Sequence, residues 1–212
     1  MKDMKELQYF LEIEVIRTLD GIMLSQKQYI LNLLYKFGMT ECKPVTTPLD
    51  RNLKLDADSG TTECETTFYR QLVGSLIYLT ITWPDLSYLI GLLSQFMKTP
   101  RDIHLDYAKR VLRYVSGTMH YNIFYKSATL IRLTGYADGH WAGYKANGRS
   151  TSGFVLSLGN GAISWSSKKH RAIALSNTKA KYRRAVVVAC EIVWLQRIPK
   201  DLNVSIADPI LP

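Results

Sequence analysis

Four cationic side chains, Lys179, Lys181, Arg183 and Arg184, crowd the first turns of the helix predicted for "ALSNTKAKYRRAVVVACEIVWLQRI" (174–198). A helix N-terminus already carries about half a positive charge, so carboxylates are the favoured occupants there. Amines and guanidinia offer donors and no acceptor, so while charged they cannot ligate a metal ion. They do suit phosphate oxygens. The neighbouring run "SSKKHR" (166–171) adds Lys168, Lys169 and Arg171, and Tyr182 offers a ring on which a base can stack. The chemistry open to this cluster is weak, nonspecific, salt-sensitive contact with nucleic acid.

The charge balance points the same way. The 212 residues carry a net charge of +9. Residues 1–134 hold 16 Lys and Arg against 14 Asp and Glu, whereas residues 135–212 hold 11 against 4, a net of +7. A basic end fits a polyanionic partner; loss of acidic residues by mutation explains it equally well. His104, His120, His140 and His170 are too scattered for a zinc signature. Cys42, Cys64 and Cys190 lie far apart without a CxxC and read as reduced thiols. No apolar run reaches the length of about 18 residues that a membrane span needs, and the acid-studded N-terminus lacks a secretory apolar core. No membrane association is expected. "GNG" (159–161) is a turn, and no GxSxG elbow occurs.

Which elements position the cluster? "LQYFLEIEVIR" (7–17) alternates Leu7, Tyr9, Leu11, Ile13 and Val15 as one half-buried strand, and "TLDG" turns it into "IMLS". Ser25 is placed to cap "QKQYILNLLYKF", which Gly38 ends. Residues 40–62, rich in Pro, Thr, Asp and Gly, read as an extended linker. The acidic pairs Asp56/Asp58 and Glu63/Glu65 read as solvated loop. Three helices follow, near 65–82, 85–97 and 102–116. After Gly117 the period changes to two. Short strands "YNIFYK", "LIRLTGYAD", "GFVLSLGN" and "AISWSS" then lead into the long basic-ended helix.

In chain order, "GYADGHWAG", "GRSTSGFVLSLGNGAISWSSKK" and "ALSNTKAKY" resemble the ribonuclease H domain of Ty1/copia-type retrotransposon polyproteins. Upstream, "MKDMKELQYFLEIEV", "GIMLSQKQYILNLL", "YRQLVGSLIYLT", "WPDLSYLIGLLSQFM" and "RVLRYVSGT" look like the end of that family's reverse transcriptase. The resemblance implies hybrid cleavage by two divalent metals about 3.5–4 Å apart, held by several carboxylates. It sets Asp138 at the first carboxylate and His140 at the family's usual second Asp. The family's Thr-Glu-Ala-Glu-Tyr is here Thr178-Lys179-Ala180-Lys181-Tyr182, so Lys181 replaces the catalytic Glu. Lys181 is expected to point toward Asp138 and to be able to pair with it. The later strand and its Asp are expected to be missing after Pro212, and the polymerase aspartate loop would precede Met1. Asp138 is thus vestigial, and no catalytic residue, metal or cofactor is expected. Trp83 replaces a usual Arg before Pro-Asp, and Glu12 a usual Gly in the first strand.

Arg110, Val111, Leu112 and Arg113 spell RxLR, a tetrapeptide of secreted effectors from plant-pathogenic oomycetes, with which similar fragments are grouped. Val111 and Leu112 also fit the apolar stripe of a helix that any family member would have. The expected fold is α+β, in four segments. A hairpin-helix unit (1–39), a linker (40–62) and a helical segment (63–118) precede a truncated ribonuclease-H-like domain (119–212) of three antiparallel strands and one long helix. An exposed sheet edge would favour self-association. The functional expectation is a catalytically inactive remnant of a copia-type reverse transcriptase and ribonuclease H, acting inside the cell if at all. The alternative is a secreted RxLR-type effector that binds an unidentified plant host protein in the nucleus or cytoplasm and suppresses defence.

Overall fold

The structure, a computed structural model, describes residues 6–50, 55–56, 59–127, 132–144, 149–169, 177–202 and 207–210. They form an α+β protein that divides into two compact units, with the chain passing from one to the other at Ile123/Phe124. The turn Leu19–Gly21 groups with the second unit.

The first unit opens with β1 (Tyr9–Phe10), β2 (Ile13–Thr18) and β3 (Gly21–Ser25). The long strand expected over 7–17 is instead a hairpin: Tyr9 pairs with Glu14 and Phe10 with Ile13. Between them Leu11 and Glu12 take φ of 47° and 60°. This is the mirror-image turn that matches strand twist and ordinarily asks for Asn or Gly. It leaves Leu7, Tyr9 and Leu11 exposed, where alternation had suggested a half-buried face. The Tyr78 hydroxyl donates to the Leu11 carbonyl and the Tyr9 hydroxyl donates to Glu12 at 2.7 Å, pinning the turn.

Helices α1 (Lys27–Lys36), α2 (Thr66–Leu79), α3 (Ser87–Leu93) and α4 (Asp102–Thr118) build the helical cluster. The Ser25 hydroxyl accepts from the Lys27 N–H at 3.2 Å, and Gly38 ends α1 at φ 64°. Glu65 is no loop acid. Its carboxylate accepts the N–H groups of Thr67 and Phe68 at 2.9 and 2.8 Å, capping α2. Apolar positions three and four apart, such as Leu72, Val73 and Leu76 on α2 and Ala108, Val111 and Leu112 on α4, are fully buried. Trp83 is buried as well, edge-on to Tyr114 and stacked on Tyr121.

The described part of residues 40–62 carries no helix or strand, yet it is bonded along α4. Arg113 donates to the Lys43 carbonyl at 2.8 Å, Val45 N–H to the Arg113 carbonyl at 3.3 Å, and Arg110 to the Thr47 hydroxyl at 3.3 Å. Leu55 is buried. These bonds join the segment to the helices, so hairpin, segment and helices count as one unit.

After β4 (Ile123–Lys126), the second unit forms a sheet of β5 (Arg132–Tyr144), β6 (Arg149–Leu158), β7 (Gly161–Lys169) and β8 (Ala207–Ile210). The Tyr125 hydroxyl donates to the Ala162 carbonyl at 2.7 Å. The sheet order is β7-β6-β5-β8, antiparallel except that β8 runs parallel to β5. The expected three-stranded sheet thus gains a fourth strand, where a later strand was expected to be missing. β8 covers the edge of β5 and leaves β7 and β8 as the sheet edges. Helix α5 (Asn177–Asp201) crosses one face. Its Val188 and Ile192 bury against Leu133 and Leu156, with Leu195 packed beside them. Burying each such side chain contributes roughly 1.5–3 kcal/mol.

Glu12→Gly should stabilise the first unit by about 1 kcal/mol, because glycine adopts positive φ without the Cβ penalty. The check is a urea midpoint shifted upward at unchanged slope.

Candidate functional site

Asp138 stands on β5, paired across the ladder with Gly153 of β6, and is exposed. On the same strand Leu133 and Gly135 turn toward α5. A Cβ added at Gly135 would lie 3.7 Å from Ile192 Cδ1 and 3.9 Å from Val188 Cγ1. Successive strand residues alternate faces, so Asp138, three residues on from Gly135, lies on the face away from α5. Lys181 sits on α5 seven residues before Val188, on the helix's sheet-facing stripe, and is exposed. Arg17 and Glu6 of the first unit form an ion pair at 3.3 Å.

The donor set does not fit a two-metal centre. Among the described residues no three of His, Cys, Asp and Glu come together as a metal-binding group. A lysine in the second turn of α5 offers no lone pair while charged. No acidic residue lies in the first turn of that helix. Acids of the first unit are occupied structurally: Glu65 caps α2, Asp85 accepts the Tyr114 hydroxyl at 2.7 Å, and Asp102 binds the Thr61 hydroxyl at 3.0 Å. Burial first, and then the Asp85 bond, push the Tyr114 hydroxyl pKa up, which keeps it protonated as the donor.

The described basic residues of the cluster fall at the end of β7 and the start of α5. Lys168 and Lys169 close β7, while Lys179, Lys181, Arg183 and Arg184 occupy the opening turns of α5. Lys168, Lys181 and Tyr182 are exposed. Arg171 lies outside the described residues.

The RxLR tetrapeptide is built into α4. Val111 and Leu112 are fully buried. Arg110 and Arg113 flank them, bonded to Thr47 and Lys43. A structural residue that the sequence did not single out from the four histidines is His104. It is fully buried and stacked on Phe96 at 3.9 Å with the rings 9° from parallel. Its signal was local: it lies three residues into α4 from Arg101, where a side chain can fold back onto the N-cap N–H.

No family model and no solved structure matches the chain. Curated relatives do. The retrovirus-related Pol polyprotein from transposon RE1 of Arabidopsis thaliana is 44% identical over 209 residues, 99% of this chain and 14% of that polyprotein. The chain thus spans about a seventh of such relatives. An uncharacterized mitochondrial protein of Arabidopsis thaliana is 37% identical over 97% of this chain and 87% of its own length. Secreted RxLR effector protein 161 of Plasmopara viticola is 42% identical over 128 residues, 60% of this chain and 90% of that protein. Over nearly its whole length, and with the segments of reverse transcriptase and ribonuclease H likeness in their order, the chain matches a stretch of copia-type retrotransposon Pol polyproteins.

Proposed function

We propose that this stretch of a copia-type Pol polyprotein has neither polymerase nor ribonuclease H activity of its own. The observation that carries the reading is Lys181, an exposed amine on α5 where the resemblance sets a metal-binding glutamate. The parity of β5, which turns Asp138 to the face of the sheet away from α5, supports the same reading. One carboxylate cannot hold two divalent ions. What the basic end retains is electrostatic affinity for phosphate. Incubated with an RNA–DNA hybrid and Mg²⁺ or Mn²⁺, the chain should leave the hybrid intact while binding it weakly, with an affinity that falls steeply as salt rises. Cleavage that disappears in Asp138→Asn overturns the reading.

Reversing both lysines separates helix electrostatics from catalysis. Lys179→Glu/Lys181→Glu places carboxylates near the positive end of α5 and should raise stability by about 1 kcal/mol. Thermal melting checks this, and the same variant should still fail to cleave hybrid.

The second reading is a secreted effector acting in a plant host. It draws on the 42% identity to the Plasmopara viticola effector. Against it, the RVLR side chains are committed to α4 and its flanking segment, so an export receptor could read them only after local unfolding. Expressed in leaves beside a cell-death elicitor, the chain should leave cell death unchanged. Suppression of death would favour the effector.

A further inference from the structure

Helix α5 is apolar on two opposite sides. Val188 and Ile192 bury against the sheet, and Glu191 on that side accepts the Ser164 hydroxyl at 2.8 Å. The far side keeps apolar residues in solvent: Tyr182 is 71% exposed, Val186 61%, Val187 51%, Val193 49% and Trp194 56%. Cys190, between them, is exposed as well. Spacings of three and four set these residues on one face over about three and a half turns. A surface helix ordinarily turns polar residues outward, so an outward apolar face of this length calls for a cover.

Polarity is graded along that face. The valines lie in the middle. Tyr182 and Trp194 bracket them, each a ring with one polar handle. Beyond the rings come cations. Lys179 and Arg183 stand seven residues before Val186 and Cys190, at the same helical phase. Arg197, exposed, follows Val193 by four residues, and Lys200 follows it by seven. Of the two acids in α5, Glu191 is engaged with the sheet and Asp201 closes the last turn.

This pattern discriminates among occupants. A second copy would set cationic ends against cationic ends, with Asp201 alone to offset them. Nucleic acid would meet phosphate partners at the ends and gain nothing from the valines between. An anionic lipid surface suits both parts. Rings and valines settle at the level of the headgroups, and Lys and Arg meet the lipid anions. A lipid surface also accepts a convex ridge, which a helix laid on a sheet is, without a matching groove.

We propose that the outward face of α5 seats on anionic membranes, with the helix lying flat in the headgroup region. No span is involved, since no described helix is long and apolar enough to cross a membrane. Apolar residues on two sides of one helix leave no single stripe, so hydropathy patterning points away from membranes where this face points toward one.

The test is cosedimentation of the full chain with vesicles of phosphatidylcholine alone or of equal parts phosphatidylserine and phosphatidylcholine. The chain should pellet with the anionic vesicles and stay in solution with the neutral ones, and added salt should release it. Trp194→Lys, with circular dichroism confirming the fold, should weaken pelleting about tenfold, the worth of one large apolar side chain at an interface. Tyr35→Lys, at an exposed ring of the first unit, should leave pelleting unchanged. In the unsubstituted chain, anionic vesicles should slow alkylation of Cys190 by a charged maleimide several-fold and leave the half-buried Cys42 unaffected. Failure to pellet with anionic vesicles overturns the proposal. So does pelleting that leaves Cys190 as reactive as in solution, because the contact then lies elsewhere. A chain that dimerises without lipid and turns monomeric in Trp194→Lys assigns the face to a second copy, which overturns it too.

Discussion

Val188 and Ile192 settle onto Leu133 and Leu156 of the sheet, and Leu156 has room there because residue 135 has no side chain: a Cβ at 135 would lie 2.6 Å from Leu156 Cδ2. That close approach organises the second unit. It fixes the face of β5 that α5 covers, and with it the parity of every residue on the strand. Leu133 goes under the helix, and Asp138 goes to the other face. The same contact sets the rotation of α5, so Lys181 continues the stripe that Val188 and Ile192 begin. A substitution at residue 181 alters charge.

The first unit relies on a different economy. Its helices bury apolar stripes in the ordinary way, but the irregular segment ahead of α2 is held by polar bonds to α4. Arg110 and Arg113 fasten its beginning; Arg101, Asp102 and His104 fasten its end. The Arg113, Arg101 and His104 side chains satisfy main-chain carbonyls of a segment that has no ladder of its own, while Arg110 and Asp102 meet the hydroxyls of Thr47 and Thr61. The RVLR residues thereby have a structural occupation, independent of any signal they spell.

How much of this could be read from sequence depended on the range of the interactions. Helices α1 to α4 announce themselves through apolar periodicity and their breakers, Gly38 and Pro84 among them. The split of the first strand did not, because Leu11 and Glu12 are poor advertisements for positive φ. The hint was Glu12 standing at a usual family glycine, a position that a turn would explain. Glu65 resembled loop acid until its bonds to Thr67 and Phe68 made it a cap. Strand β8, four residues with an internal proline, is too short to signal itself, and its partner β5 lies far back in the chain. The face that Asp138 takes required the sheet register, which no local pattern encodes. Chemistry at residue 181 was legible directly, since an amine is an amine in any fold.

The parallel pairing of β8 with β5, Arg132 beside Ala207, carries a consequence for biosynthesis. β5, β6 and β7 form from neighbours in sequence and can assemble as they leave the ribosome. The last ladder of this sheet closes across the whole intervening hairpin pair and helix, a high-contact-order step that comes late. Until translation has passed residue 210, the nascent domain presents a naked β5 margin, and that interval is when chaperones would find it.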